Sequence, residues 1–277
     1  MLSPLYGQLS PLRIPTSNPL DSDALAYIAA VETADGAALE EGVKIAINSF
    51  IVGCKSDGIW SAIKASCLLA GARTLDGALV PLVGTSAPTN NNFVSGDYNR
   101  ETGLIGNTAT KYLNSNHNNN ATSQNSFHLS VYQKNPAFGA SVNTTVRFQI
   151  GSGSGVTGSS GIGRRVTTAV IATRNRSANL TDGASGSTDM SNLFLGINRS
   201  TSGSYTWRAN TATGSLSIAS QTPYNGNVYI FGLNNNGALS NPTNARLCFY
   251  SIGESLNLAL LDTRVSNLMT ALAAAIP

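Results

Sequence analysis

Charge is scarce in this 277-residue chain: 11% of residues are Asp, Glu, Lys or Arg, against about 25% in an ordinary soluble domain. Acids are rarest between Glu101 and Glu254, where 152 residues hold two carboxylates, Asp182 and Asp189. Acid/base hydrolysis, phosphoryl transfer and carboxylate-rich calcium cages all need clustered acids. No catalytic residue and no metal-ligand set is therefore assigned, and no enzyme is expected. Asn, Ser, Thr and Gly fill the space, giving a neutral hydrogen-bonding surface that suits sugars or copies of the chain itself and tolerates salt.

Cysteine and histidine are equally sparse. Cys54, Cys67 and Cys248 leave at least one thiol unpaired, show no CxxC spacing and make no zinc pattern with His117 and His128. Buried reduced thiols are expected, which fits assembly in a reducing cytoplasm. No charged n-region precedes an apolar run at the start, and no apolar run reaches the ~20 residues that span a bilayer, so export by the general secretory route and membrane insertion are not expected. The net charge is +3, but the basic residues are scattered. Their closest clusters, Arg164-Arg165 and Arg174 with Arg176, have no interleaved aromatics, so no nucleic-acid partner is expected. A GxGxxG pattern at Gly153, Gly155 and Gly158 is followed by Ser159-Ser160-Gly161-Ile162-Gly163, which cannot hold the helix a dinucleotide site requires. A hairpin loop is expected there, and no cofactor.

Three parts follow from the hydropathy pattern. Residues 1–20 carry Pro4, Pro11, Pro15 and Pro19 between Leu2, Leu5, Tyr6, Leu9, Leu12, Ile14 and Leu20, an extended arm able to bury apolar side chains on a partner, with a frayed terminus as the alternative. Residues 21–72 predict three helices, over 22–33, 37–54 and 58–70, from apolar residues at three-to-four spacing. Residues 73–277 change to period two, with short strand candidates between Asn, Gly and Ser runs. Antiparallel pairing in a jelly-roll β-sandwich is the expected architecture. A C-terminal helix from Glu254 to Ala275 should pack on the sandwich or on the N-terminal helices.

Individual groups have competing roles. His128 and Ser130 share a strand face, two residues apart, without an orienting acid or oxyanion hole, so a hydrogen-bonded sheet histidine is expected. Tyr205, Trp207 and Tyr224 form the one glycan-contacting patch that can be named; filling the core is the other role open to the same rings. Asp182 and Asp189 bracket a Gly/Ser loop that holds a metal weakly or turns in solvent. Asn114 to Asn120 is expected to be a long turn, because Asn accepts positive φ.

The segments Ile47-Asn48-Ser49-Phe50-Ile51-Val52-Gly53-Cys54-Lys55 and Gly58-Ile59-Trp60-Ser61-Ala62-Ile63-Lys64-Ala65 resemble a helical lead-in of uncharacterised phage and prophage virion proteins. In that group the lead-in precedes a concanavalin-like, laminin-G-like sandwich. Asp97-Tyr98-Asn99-Arg100, Ser126-Phe127-His128-Leu129-Ser130-Val131-Tyr132 and Phe249-Tyr250-Ser251-Ile252-Gly253-Glu254 are similar to its sheet strands. The resemblance spans about residues 21–276, with 135–244 matching in texture alone. It implies a non-enzymatic virion protein, a tail-fibre or receptor-binding component, with capsid decoration as the alternative. The implied partners are other virion proteins, reached through the arm, copies of the chain in a homo-oligomer such as a trimer, and a host-surface glycan. A glycan depolymerase is the rival from another class. It needs two carboxyl groups roughly 5 to 10 Å apart, to be found among Asp97, Glu101, Asp182 and Asp189.

Overall fold

The computed structural model describes residues 19–134, 146–153, 157–165, 170–178, 180–182 and 192–277. The arm residues Leu2, Leu5, Tyr6, Leu9, Leu12 and Ile14 lie outside them, as does Asp189, and the side chain of Asp182 is likewise not described.

Two nine-stranded sheets among the described residues form an antiparallel jelly-roll sandwich, and helices cover one of them. The helix-covered sheet runs in the order Ala212–Leu216, Tyr205–Ala209, Asn192–Arg199, Phe127–Lys134, Arg246–Gly253, Ile63–Leu68, Pro81–Val83. The second runs Thr181–Asp182, Ile171–Ser177, Ser159–Arg165, Val146–Ser152, Asn227–Ile230, Tyr112–Asn118, Thr89–Asn91. Side chains alternate across each strand. Phe127, Leu129 and Val131 therefore enter the core between the sheets, while Tyr132 joins a second core with the helices.

The helix Ser22–Asp35 starts where the Asp21 carboxylate accepts the Asp23 N–H at 2.9 Å, and it ends at Gly36 with φ 65. That left-handed conformation carries no penalty for glycine. The helix Glu41–Ser56 and the C-terminal helix Leu258–Ala275 pack tightly along a seam. A Cβ on Gly42 would stand 2.8 Å from that of Ala275, and one on Gly53 would meet the Arg264 guanidinium at 2.8 Å. Arg264 in turn forks onto Asp57 at 2.7 and 2.8 Å. The C-terminal helix thus packs on both the sandwich and the N-terminal helices.

The third expected helix is absent, and the boundary at residue 72 goes with it. Residues 60–62 make one 3-10 turn, and Ile63–Leu68 is a strand paired with Arg246–Gly253. Both faces of this strand are buried: Ile63 and Leu68 under the helices, Ala65 and Cys67 between the sheets. Lys64 and Ser66 do alternate with Ile63, Ala65 and Cys67, but over too few residues to decide the period, and Ile59, Ile63, Cys67 and Leu68 also stand at helical spacing. The Asn run is also corrected. Asn114 to Asn118 belong to the strand Tyr112–Asn118, with Asn116 at φ 56 absorbing an irregularity in the pairing. Ser159–Arg165, expected as loop, is a strand because Gly161 and Gly163 leave room for the Phe148 ring and Val146 across the sheet.

All three thiols are buried and unpaired, each pushed up to about 12 by burial. Charge is buried too: Arg176 and Arg199 are wholly enclosed, and their bonds among the described residues go to neutral oxygens. Arg199 donates to five main-chain oxygens, those of Asn175, Thr201, Ser202, Ser204 and Ile218. Arg176 donates to the carbonyls of Asn119 and Ser123 and to Thr122 Oγ1, with its guanidinium 4.1 Å from the centre of the Phe127 ring. Burial pulls Arg176 down to about 10, which leaves it a cation at neutral pH.

Candidate functional site: a polar cleft beside the C-terminal helix

Of the two roles open to Tyr205, Trp207 and Tyr224, the structure gives Tyr205 the core. Tyr205 is 1% exposed; its hydroxyl donates to the Thr173 carbonyl at 3.0 Å, and Arg199 lies 5.3 Å from its ring centre. A ring so enclosed cannot stack on a ligand, so Tyr205 is a core residue. Trp207 follows it on the same face, half-buried against the edge of the inter-sheet core. Its indole lies over Gly214, where a Cβ would come within 2.6 Å. Tyr224 is half-buried on a loop beside the second sheet, its hydroxyl donating to Asn236 Oδ1 at 2.9 Å and its N–H to the Gly158 carbonyl.

His128 is fully buried, with Nδ1 2.6 Å from the Glu254 carbonyl and Nε2 2.8 Å from Ser251 Oγ. A carbonyl can only accept, so Nδ1 carries the proton, Nε2 accepts from Ser251, and Ser251 Oγ accepts from Ser130 at 2.8 Å. Burial lowers His128 to about 4. The two hydroxyls have no solvent path, since both serines are 0% exposed, and the set is structural. Asp97 is paired with Lys111, and no group of three His, Cys, Asp or Glu residues among the described residues could hold a metal ion.

The most developed polar site lies on the other face of the strand that carries Tyr205 and Trp207. Alternation sends Arg208 outward to the C-terminal helix, where its Nε meets Asp262 Oδ2 at 2.7 Å. Asp262 Oδ1 accepts from Ser266 Oγ, one turn on, at 3.1 Å. The helix reaches the sheet because the residue opposite Arg208 is Gly196; a Cβ there would stand 2.8 Å from Leu258 and 2.9 Å from the Phe194 ring. The strand then turns at Asn210, whose φ of 49 is one that Asn tolerates, and its side chain accepts the Phe194 N–H at 3.0 Å.

These parts enclose a cleft of about 520 Å³. The Tyr132 ring and the Arg208–Asp262 pair are almost wholly buried, while Thr211, Thr263 and Asn267 stand exposed at the mouth. Donors and acceptors are thus fixed at many angles around an aromatic ring, without a net charge. Among the described residues the lining holds one carboxylate, already paired, where glycoside hydrolysis uses two, and no histidine or thiol. The described lining thus offers hydrogen-bond donors and acceptors, with no nucleophile beside a base among them. The sequence did hold a clue: Asp262 falls on the helix face of Leu258, Val265 and Met269, where an acid needs a partner.

No helix of the described residues is long and apolar enough to cross a membrane. No family model matches the chain, and no curated protein does. Among solved structures, the binding domain of botulinum neurotoxin serotype D is similar at 13% identity and a TM-score of 0.51, covering 74% of this chain and 51% of that one. Trypanosoma rangeli sialidase in complex with sialic acid is similar over 76% of this chain and 33% of its own, at 11% identity and a TM-score of 0.48. The Ruminococcus gnavus IT-sialidase CBM40 bound to α2,3-sialyllactose covers 51% of this chain and 82% of its own, at 11% identity and a TM-score of 0.41. The chain spans about a quarter of the NanB sialidase of Streptococcus pneumoniae that it also matches, at 24%. The likeness is one of fold alone: a jelly-roll β-sandwich.

Proposed function

We propose that the chain is a non-catalytic display module of a virion, a tail-fibre or receptor-binding component, whose cleft beside the C-terminal helix contacts a host-surface glycan. The observation that carries the glycan reading is the make-up of that cleft. Thr211, Thr263 and Asn267 at the mouth, with Asn210, Ser266 and the paired Arg208 and Asp262 behind them, present amides and hydroxyls that match the neighbouring hydroxyls of a sugar ring. The virion setting is supported by the resemblance of residues 47–65, 97–100 and 249–254, with residues 1–20 as the attachment arm to other virion proteins in a homo-oligomeric assembly.

A glycan array with the full chain tests the binding. Retention of a defined glycan by the wild type, lost in the surface double variant Thr211→Ala, Asn267→Ala at unchanged melting temperature, is the expected result. A wild-type chain that retains no glycan, or releases reducing ends from one, overturns the reading. Mass spectrometry of purified particles, finding the chain or not, decides the virion assignment separately.

A further inference from the structure

Apolar surface stands uncovered on the two N-terminal helices. Of the four exposed large apolar side chains among the described residues, Leu25 lies on Ser22–Asp35, and Ile45 and Val52 lie on Glu41–Ser56. Ile45 borders a groove of about 230 Å³ along the seam between Glu41–Ser56 and the C-terminal helix. Ala46, Phe50 and Leu268 form its buried part; Ser49 and Arg264 stand beside Ile45 nearer solvent. Grooves between helices take up apolar segments, and polar groups at the rim satisfy the main chain of an extended one.

The N-terminal segment leaves the fold next to this groove. Leu20 packs against the helical core, the Asp21 N–H donates to Asn48 Oδ1 at 2.7 Å, and the Asp21 carboxylate meets Lys55 Nζ at 2.5 Å. Both partners belong to Glu41–Ser56, so residues 1–18 start from the surface of the helix that carries Ile45 and Val52. Crossing a helix takes about 10 Å, which extended chain covers in roughly three residues at about 3.3 Å each. Ile14, Leu12 and Leu9 would then come opposite the groove, and Pro11 and Pro15 favour the extended form that needs no internal hydrogen bonds.

We propose that the groove between Glu41–Ser56 and the C-terminal helix is the docking site of residues 1–18 of the same chain. Seating there covers the apolar side chains of the arm until a partner displaces it. The inference does not rest on the glycan reading, although Asn267 borders both the groove and the polar cleft.

The test labels a thiol at the rim. Full-length Ile45→Cys is compared with full-length Ile45→Cys that also carries Leu9→Ser, Leu12→Ser and Ile14→Ser. The native thiols are buried and slow to react, and Val94→Cys, at a site 60% exposed, is the control for intact folding in both backgrounds. A tether this short holds the arm at an effective concentration of about 1 mM. With an intrinsic Kd of about 0.1 mM, alkylation of the thiol introduced in place of Ile45 should then be about tenfold slower with the natural arm, whatever the protein concentration. Equal rates in the two backgrounds overturn the docking. Protection that fades on dilution assigns the groove to a second copy and overturns docking within one chain.

Discussion

Arg199 holds the main-chain oxygen of Asn175 with two of its nitrogens, Nε at 2.9 Å and Nη2 at 2.8 Å. The same guanidinium reaches the turn at Thr201, Ser202 and Ser204 and the segment at Ile218, so one side chain ties a strand of the second sheet to loops of the first. Arg199→Leu strands the buried Asn175 carbonyl and releases the part-buried ones of Thr201, Ser202, Ser204 and Ile218, at about 1 to 3 kcal/mol for each group left without water. A loss of about 3 kcal/mol or more is expected in urea unfolding. Arg199→Lys, with no planar fork, should recover part of it. A leucine variant as stable as wild type would remove the latch from the account.

His128 sets an acid limit. Its folded-state pKa of about 4 lies below the ordinary value near 6.5, so between those values the unfolded chain binds a proton that the folded chain refuses. Stability is therefore fully present above about pH 6.5 and falls as the pH drops towards 4, by about 3 kcal/mol in all. In His128→Gln the slope across this window should be smaller by one proton, as urea midpoints at about pH 7, 5.5 and 4.5 will show. An unchanged slope would place the titration elsewhere.

Tyr205 and Trp207 should separate stability from surface chemistry. Tyr205→Ala empties a fully buried site and should cost about 3 to 5 kcal/mol. Trp207→Ala, at a half-buried ring, should cost roughly half as much. Thermal melts of the two variants decide the ordering, and the reverse order would contradict the placement of the rings.

Gly196→Val tests how the cleft is built. The added side chain would press Leu258 and the Phe194 ring, which already stand 2.8 and 2.9 Å from the position of its Cβ. The C-terminal helix must shift outward, at a cost of about 1 to 3 kcal/mol, and Asp262 with it. Glycan retention should fall together with stability. Retention at the wild-type level would separate the ligand from the Arg208–Asp262 pair.

The sandwich was legible because its strands alternate: Phe127 to Tyr132 could be placed face by face from the order of apolar and polar residues alone. The first two helices were legible from apolar residues at three-to-four spacing, Val43, Ile47, Phe50 and Ile51 in the second. Ile63–Leu68 was hidden because its alternation is short and Ile59, Ile63, Cys67 and Leu68 fit helical spacing as well, and Ser159–Arg165 because its glycines are small for the benefit of Val146 and Phe148 on a neighbouring strand. The cleft was hidden for a similar reason. Tyr132, Arg208 and Asp262 are 54 to 130 positions apart, and only the order of the strands brings them together. Tyr205 and Trp207 were left with two roles by their strand, since sharing a face does not say how far inside the sheet edge each ring lies.

The buried arginines fasten loops almost wholly by main-chain oxygens: Asn119 and Ser123 under Arg176, Thr201, Ser202, Ser204 and Ile218 under Arg199. A carbonyl is present whatever residue bears it. Substitutions along these loops therefore leave the fastening intact, and the sequence there is free to drift or to be selected for new contacts while two arginines, themselves out of reach of solvent, keep the path of the backbone.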